Sequence, residues 1–251
     1  MLTTILLLGA AGLASGAINA VAGGGTFITF GALTLSGLPP IAANATASVV
    51  QFPGYITSAL AYLADIRRFW RSALLLAAIS AAGAFAGAML LLALDNPSFK
   101  AMVPYLLLGA TAIFAAGPWL RPRKKAEAEP RGWRANPLAL ALQLLTALYG
   151  GFFGAGMGIM MLATLGLADS SDFHRLNAMK NLLSIIIAAV AIVVFTSGGL
   201  ISWFETLVMI PAVAAGGYLG VWLARRVPVL VIRAIVVVIG LALAGYYFLA
   251  A

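Results

Sequence analysis

The chain has no cysteine and a single histidine, His174. The first absence removes disulfides, thiolate metal sites and cysteine nucleophiles. The second leaves little basis for a histidine-ligated metal centre. No nucleophile–base pair or metal cluster can be assembled from such a set, so the sequence reads as a non-enzyme without a cofactor. Charge is scarce as well. Charged residues are 9% of the 251 positions, against 63% hydrophobic ones. A soluble domain of this length cannot hide that much apolar surface, which makes the chain a polytopic membrane protein. Alternating ten-residue strand patterns are missing, which argues against a barrel. The apolar runs instead approach or exceed the roughly 20 residues that carry a helix across a hydrocarbon core of about 30 Å. The expected fold class is therefore all-α. The opening run "MLTTILLLGAAGLASG" lacks the basic start of a signal peptide and reads as a retained membrane segment. The net charge of +8 does not point to nucleic acid, because the basic residues lie in short stretches between apolar runs, where they set topology.

The apolar stretches fall near 2–22, 26–38, 40–64, 70–94 and 98–120, then, after a polar linker, near 138–155, 157–168, 173–197, 200–224 and 228–250. This divides the chain into a first transmembrane repeat (1–120), a basic linker (121–137) and a second repeat (138–251). Each repeat has about five segments, and the second of each set is short. A constant offset superimposes the halves without gaps: Gly23 and Gly25 fall on Gly156 and Gly158, Asn44-Ala45 on Asn177-Ala178, Trp70 on Trp203, Gly83 and Gly87 on Gly216 and Gly220. The basic stretches are 65–71, the linker with Arg121, Arg123, Lys124, Lys125, Arg131 and Arg134, and 225–233. Placing all three in the cytoplasm gives a consistent alternation if each Gly-rich pair, 2–38 and 138–168, enters and returns on one side. The repeats then have opposite orientation and both termini face outward. Inverted repeats with interrupted helices are the organisation of secondary transporters, whose substrates sit near the midplane between the repeats.

Three consecutive glycines, Gly23, Gly24 and Gly25, break the chain within this apolar region. The segment after them is too short to span, so a Gly-broken hairpin is expected, tolerated at membrane depth only beside protein or water. Its free N–H groups and the N-terminal dipole of the helix beginning near Thr26 make an anion-binding end. Gly156 and Gly158 repeat the device. The alternative, glycine serving close helix packing, suits Gly83, Gly87, Gly216 and Gly220 better than it suits a triplet. Helical spacing from Asn44 puts Ser48, Gln51, Tyr55, Ser58 and Tyr62 on one face. In the second half the same register gives Asn177, Asn181 and Ser184, with Lys180 beside Asn177. Such residues can instead join helices by hydrogen bonds, but the matched set favours a substrate path. Asp65, Asp95, Asp169, Asp172 and Glu205 all lie at segment ends, and Glu127 and Glu129 lie in the linker. No carboxylate is placed for a midplane proton relay or sodium site. Lys180, the only charge well inside a segment, suits an anion.

The stretch "GAINAVAGGGTFITFGALTLSGLPPIAANATASV" resembles the first signature of the sulfite exporter TauE/SafE family of membrane permeases, in which the 4-toluene sulfonate uptake permease-like transporters are grouped. Its parts are a Gly-rich turn, an apolar half-helix, a Gly-Leu-Pro-Pro turn and then Asn-Ala-Thr. "GGFFGAGMGIMMLATLGL" and "FHRLNAMKNLLS" resemble the second-half counterpart, so the resemblance covers nearly the whole chain. It implies a multi-pass transporter of the bacterial inner membrane for sulfur-containing anions such as sulfite or organosulfonates. By position it implies a substrate region at Asn19, Gly23–Gly25, Asn44, Thr46, Gly156, Gly158, Asn177 and Lys180. Gly31 stands where many members carry proline, which bears on the geometry of the half-helix.

Together these readings predict an exporter of small sulfur oxyanions. The expected binding set is Asn19, Gly23, Gly24, Gly25, Thr26, Asn44, Thr46, Ser48, Gln51, Gly156, Gly158, Asn177, Lys180, Asn181 and Ser184. Its partners are the small anionic substrate and the lipid bilayer, not nucleic acid, with homo-oligomerisation left open. An anion channel, an uptake permease for sulfonates and a structural subunit remain as alternatives.

Overall fold

The computed structural model describes residues 2–120, 137–168, 173–223 and 229–249. These residues form ten helices and, among them, no strand. In chain order they are α1 (Leu2–Ala22), α2 (Gly25–Leu35), α3 (Pro40–Ala61), α4 (Leu63–Leu92), α5 (Asn96–Leu120), α6 (Pro137–Phe152), α7 (Met157–Ala168), α8 (Phe173–Ser197), α9 (Trp203–Leu223) and α10 (Val229–Leu249). The fold is that of an all-α membrane protein. Leu2–Ala20, Ala73–Leu92 and Arg175–Ser197 are each long and apolar enough to cross a bilayer by themselves. By contrast, α2 has 11 residues and α7 has 12, about 16–18 Å of helix at 1.5 Å per residue, so neither spans. The linker residues 121–136, together with Asp169, Asp172, Arg225 and Arg226, lie outside the described residues.

Helix boundaries follow local chemistry. Pro40 occupies the first position of α3, where a missing N–H costs nothing. Asp95 opens α5, accepting from the Ser98 N–H at 3.2 Å, and hydrogen bonding to Ser98 holds its carboxyl below the usual carboxylate range. Asn96 Oδ1 in turn accepts from Ile41 N at 3.1 Å, tying the start of α5 to the start of α3. Two boundaries correct the sequence reading. Residues 65–71 are helix rather than loop: they form the opening turns of α4, bent at Phe69, where φ is −124° and ψ is 17°. The straight part of α4 therefore begins at Trp70, the counterpart of Trp203, the first residue of α9. Likewise 229–233 already belongs to α10. Gly31 does not disturb α2, which runs unbroken to Leu35. A Cβ at Gly31 would lie 2.8 Å from Leu243 of α10, so the absent side chain permits close packing there.

The helices associate across the two halves. α1 lies along α9 and α4 lies along α6. Both seams are built on glycine. In the first, a Cβ at Gly16 would strike the Val213 carbonyl, one at Gly216 the Leu13 carbonyl and one at Gly220 the Ala17 carbonyl. In the second, a Cβ at Gly83 would meet the Leu144 carbonyl at 2.8 Å, one at Gly87 the Leu148 carbonyl and one at Gly151 the Ala84 carbonyl. Lipid supplies no hydrophobic drive between helices, so such backbone approach, with its dispersion contacts, is what joins them. In each seam the contacts advance along both helices in the same direction, from Leu13–Gly216 to Ala17–Gly220 and from Gly83–Leu144 to Gly87–Leu148, so the partners run parallel. α3 packs on α8, and α5 on α10. Thus α1–α9 matches α6–α4, and α3–α8 and α5–α10 each pair a helix with its own counterpart.

Candidate functional site

The chain between α1 and α2 turns at Gly23 and Gly24, and that between α6 and α7 at Phe153–Gly156. Gly23 has φ +77° and Gly156 has φ +80°, a left-handed conformation that glycine alone adopts freely. The two positions are the ones superimposed by the sequence offset. The turns also meet. A Cβ on Gly23 would lie 3.0 Å from the Gly158 carbonyl carbon, and one on Gly158 would lie 3.1 Å from the Gly23 oxygen. A Cβ on Gly156 would lie 2.9 Å from the Phe27 ring, so α2 of one half covers the turn of the other.

Each turn is held from behind. In the first half, Ser15 Oγ donates to the Gly25 carbonyl at 2.7 Å and lies 2.6 Å from Thr29 Oγ1. Gln51 Nε2 donates to Thr29 Oγ1 at 2.8 Å and to Ser15 Oγ. One assignment of protons satisfies both hydroxyls: Thr29 donates to Ser15, Ser15 to Gly25, and the two amide protons of Gln51 go to the two oxygens. In the second half, Tyr149 donates its hydroxyl to Ala155 O at 2.7 Å. Asn44 of α3 crosses between halves, its Nδ2 donating to Phe152 O at 2.9 Å, at the last residue of α6. Ser48, one turn on, lies 3.4 Å from the Cβ position of Gly154. The Asn44–Ser48 face of α3 therefore abuts the second turn.

Every residue of the expected set is buried except the half-buried Ser48. The set does not converge as one cluster. Thr46 Oγ1 accepts from Ser202 N at 3.0 Å, which uses it at the start of α9. The Gln51 amide nitrogen is taken by the Ser15–Thr29 node, while its oxygen lies 3.8 Å from the Gly54 Cβ position, on the α9 side. Thr26 Oγ1, at the start of α2, is buried without a hydrogen-bond partner. Asn19, in the last turn of α1, accepts from Gly23 N through its backbone oxygen at 3.0 Å, but its buried Oδ1 has no hydrogen-bond partner.

On α8, Asn177, Lys180, Asn181 and Ser184 share one face by their i, i+3, i+4 and i+7 spacing. Lys180 is only 1% exposed, and its Nζ has no hydrogen-bond partner. Asn181 Nδ2 and Ser184 Oγ are buried and unpartnered as well. Buried polar groups are nearly always paired, and an isolated ion in a low-dielectric interior costs several kcal/mol. The Lys180 Nζ, the Asn181 amide N–H and the Ser184 hydroxyl have no acceptor in the structure and can receive an oxyanion, with the buried Asn177 amide oxygen, itself an acceptor, on the same face. Among the described residues no group of three or more His, Asp or Glu could hold a metal. Ser15, Thr29, Tyr149 and the Phe152 carbonyl were not legible as parts of the site. Hydroxyls in apolar helices usually bond back to their own helix, as Thr34 and Thr146 do here, and nothing in the sequence separates the two uses. An apolar crevice of about 250 Å³ lies away from this region, between Gly31–Leu35 of α2 and Ile239–Tyr246 of α10.

The family model described as "Sulfite exporter TauE/SafE" matches residues 8–247. Among curated relatives, a "Probable membrane transporter protein" of Haemophilus influenzae is 28% identical, covering 93% of this chain and 90% of its own. "Probable membrane transporter protein ORF9" of a Sinorhizobium species is also 28% identical, covering 92% of this chain and 87% of its own. "Probable membrane transporter protein YfcA" of Escherichia coli is 24% identical over 82% of this chain and 75% of its own.

Proposed function

Because the chain belongs to the sulfite exporter TauE/SafE family, we propose that it carries small sulfur-containing oxyanions, such as sulfite or an organosulfonate, outward across the bacterial inner membrane. The observation that carries this reading is the fully buried Lys180 Nζ, without a hydrogen-bond partner, beside the unpartnered Asn181 and Ser184 groups on the same face of α8. The glycine turns add backbone N–H donors, and Asn19 and Thr26 lie at their edge. The anion sits near the midplane between two repeats of opposite orientation. Two features support the inversion: the parallel, reciprocal seams α1–α9 and α6–α4, and the matched left-handed glycines. The close approach of Gly23 to Gly158 fits a carrier in a closed conformation.

Direction follows from electrostatics. With the cytoplasm negative, each negative charge that leaves gains about 2.3 kcal/mol per 100 mV. The thermal stability of the purified chain titrated with sulfite, sulfate, thiosulfate, sulfoacetate and taurine tests the reading. At least one should raise the melting temperature with concentration, by the equivalent of about 2.7 kcal/mol at a hundredfold excess over its dissociation constant. Lys180→Ala should remove the response. If none of the five shifts the transition, the proposal fails.

A further inference from the structure

The helices packed against α8 are α3, α4, α6 and α7. Neither α3, α6, α7 nor α8 itself contains an acidic residue. α4 contains one, Asp65, in its first turn. The other titratable or charged groups on these helices are Tyr55 on α3, Tyr149 on α6, Arg67, Arg68 and Arg71 at the start of α4, and His174 and Arg175 in the first turn of α8. Tyr149 is committed to the Ala155 carbonyl, and the Arg175 guanidinium lies over the Phe69 ring at 5.8 Å. Apart from Asp65, none of these is an anion at neutral pH. Lys180 is thus buried in the bundle with an Nζ to which no described side chain offers a hydrogen-bond acceptor.

Two side chains could supply a cation there, and they behave differently. Arginine keeps its charge wherever it is buried, whereas lysine can shed its proton when the charge is unsupported. An oxyanion entering the patch supplies the missing counter-charge and acceptor atoms, and so favours the ammonium. We propose that anion and proton load this site together: Lys180 Nζ takes a proton from solvent as the anion binds and returns it when the anion leaves. The inference rests on Lys180 serving the anion site. Nothing is oxidised or reduced; one N–H bond forms on loading and breaks on release. For transport, a dianion accompanied by one proton still moves one net negative charge and remains driven by voltage. A monoanion so accompanied moves none.

Methanesulfonate, thiosulfate and sulfate are fully ionised near neutral pH, so a proton absorbed on binding them belongs to the protein. Calorimetric titration of the full chain with each, in two buffers of different ionisation enthalpy, should show uptake of up to one proton per anion, rising toward one as the pH is raised. The affinity should be constant at low pH and fall about tenfold per pH unit once the empty site has lost its proton. Whatever binding survives in Lys180→Arg should show neither effect, and the unsubstituted chain decides the matter alone if that variant does not fold. Binding without proton uptake at any pH, or uptake that persists in Lys180→Arg, overturns the inference and leaves the anion-carrier reading intact. Absence of binding by these three and by sulfite, sulfoacetate and taurine overturns both.

Discussion

A lysine buried without a partner destabilises the ligand-free protein, which separates a binding role from a structural one. Replacing it with a methionine of similar length removes an unpaired polar group and keeps the volume, a change that is neutral or stabilising at buried ionic sites. Lys180→Met should therefore melt at the same temperature as the parent or higher, yet lose anion affinity by about 2–5 kcal/mol, roughly 30-fold or more. Thermal unfolding with and without the anion found in the screen checks both halves of that expectation. A structural lysine would give the opposite result, a lower melting temperature. Lys180 was legible in the sequence because it is the only charge deep in an apolar run. Thr46 and Gln51 were legible as polar positions but not in their bonding, since spacing gives the face of a helix and not the neighbour opposite. Gly23 gives a second test at this scale. Its left-handed backbone costs a residue with a Cβ about 1–2 kcal/mol, and that Cβ would also press on Gly158. Gly23→Ala should lower the melting temperature and weaken anion binding together.

At the scale of helices, the seams make an internal comparison available. Gly16 has its Cβ position occupied by the Val213 carbonyl, whereas nothing lies within 4 Å of the Cβ position of Gly109 on α5. Gly16→Ala should destabilise by about 1–3 kcal/mol through forced separation of α1 and α9. Gly109→Ala should be neutral or stabilising by up to about 1 kcal/mol, because alanine is the better helix former. Thermal or denaturant unfolding in detergent measures both. In the sequence, close packing suited Gly83, Gly87, Gly216 and Gly220 better than it suited the Gly triplet, and the structure places all four against a neighbouring backbone. The sequence could not show that α1 pairs with α9 instead of a helix of its own half. A small-residue face accepts any helix, and the choice is made by the whole bundle. The start of α4 was missed for a related reason: "DIRRFWR" is too charged for a membrane segment, but a helix can continue past the hydrocarbon into the polar region, and here it bends at Phe69 as it does so.

For the whole molecule, the proposal on which the shared site depends is that the two halves have opposite orientation, and a sequence without cysteine makes it directly measurable. Arg67, near the α3–α4 junction, and Ser197, at the α8–α9 junction, occupy equivalent places in the two repeats. Both are exposed. Repeats of the same orientation would put them on the same side of the membrane; inverted repeats put them on opposite sides. Ser98, exposed at the start of α5 in the first half, should share the side of Ser197 under inversion, although the two positions are not equivalent. With single substitutions Ser98→Cys and Ser197→Cys, a membrane-impermeant maleimide added to intact cells should label both. Arg67→Cys should react only after the membrane is opened. Serine to cysteine is nearly isosteric, and among the described residues Ser197 Oγ bonds to its own helix, at Val194 O, so the label there reports sidedness and not disruption. Labelling of Arg67→Cys and Ser197→Cys from one side would mean parallel repeats. The two glycine turns would then enter from the same face, and donors descending from opposite surfaces could not meet at a shared anion.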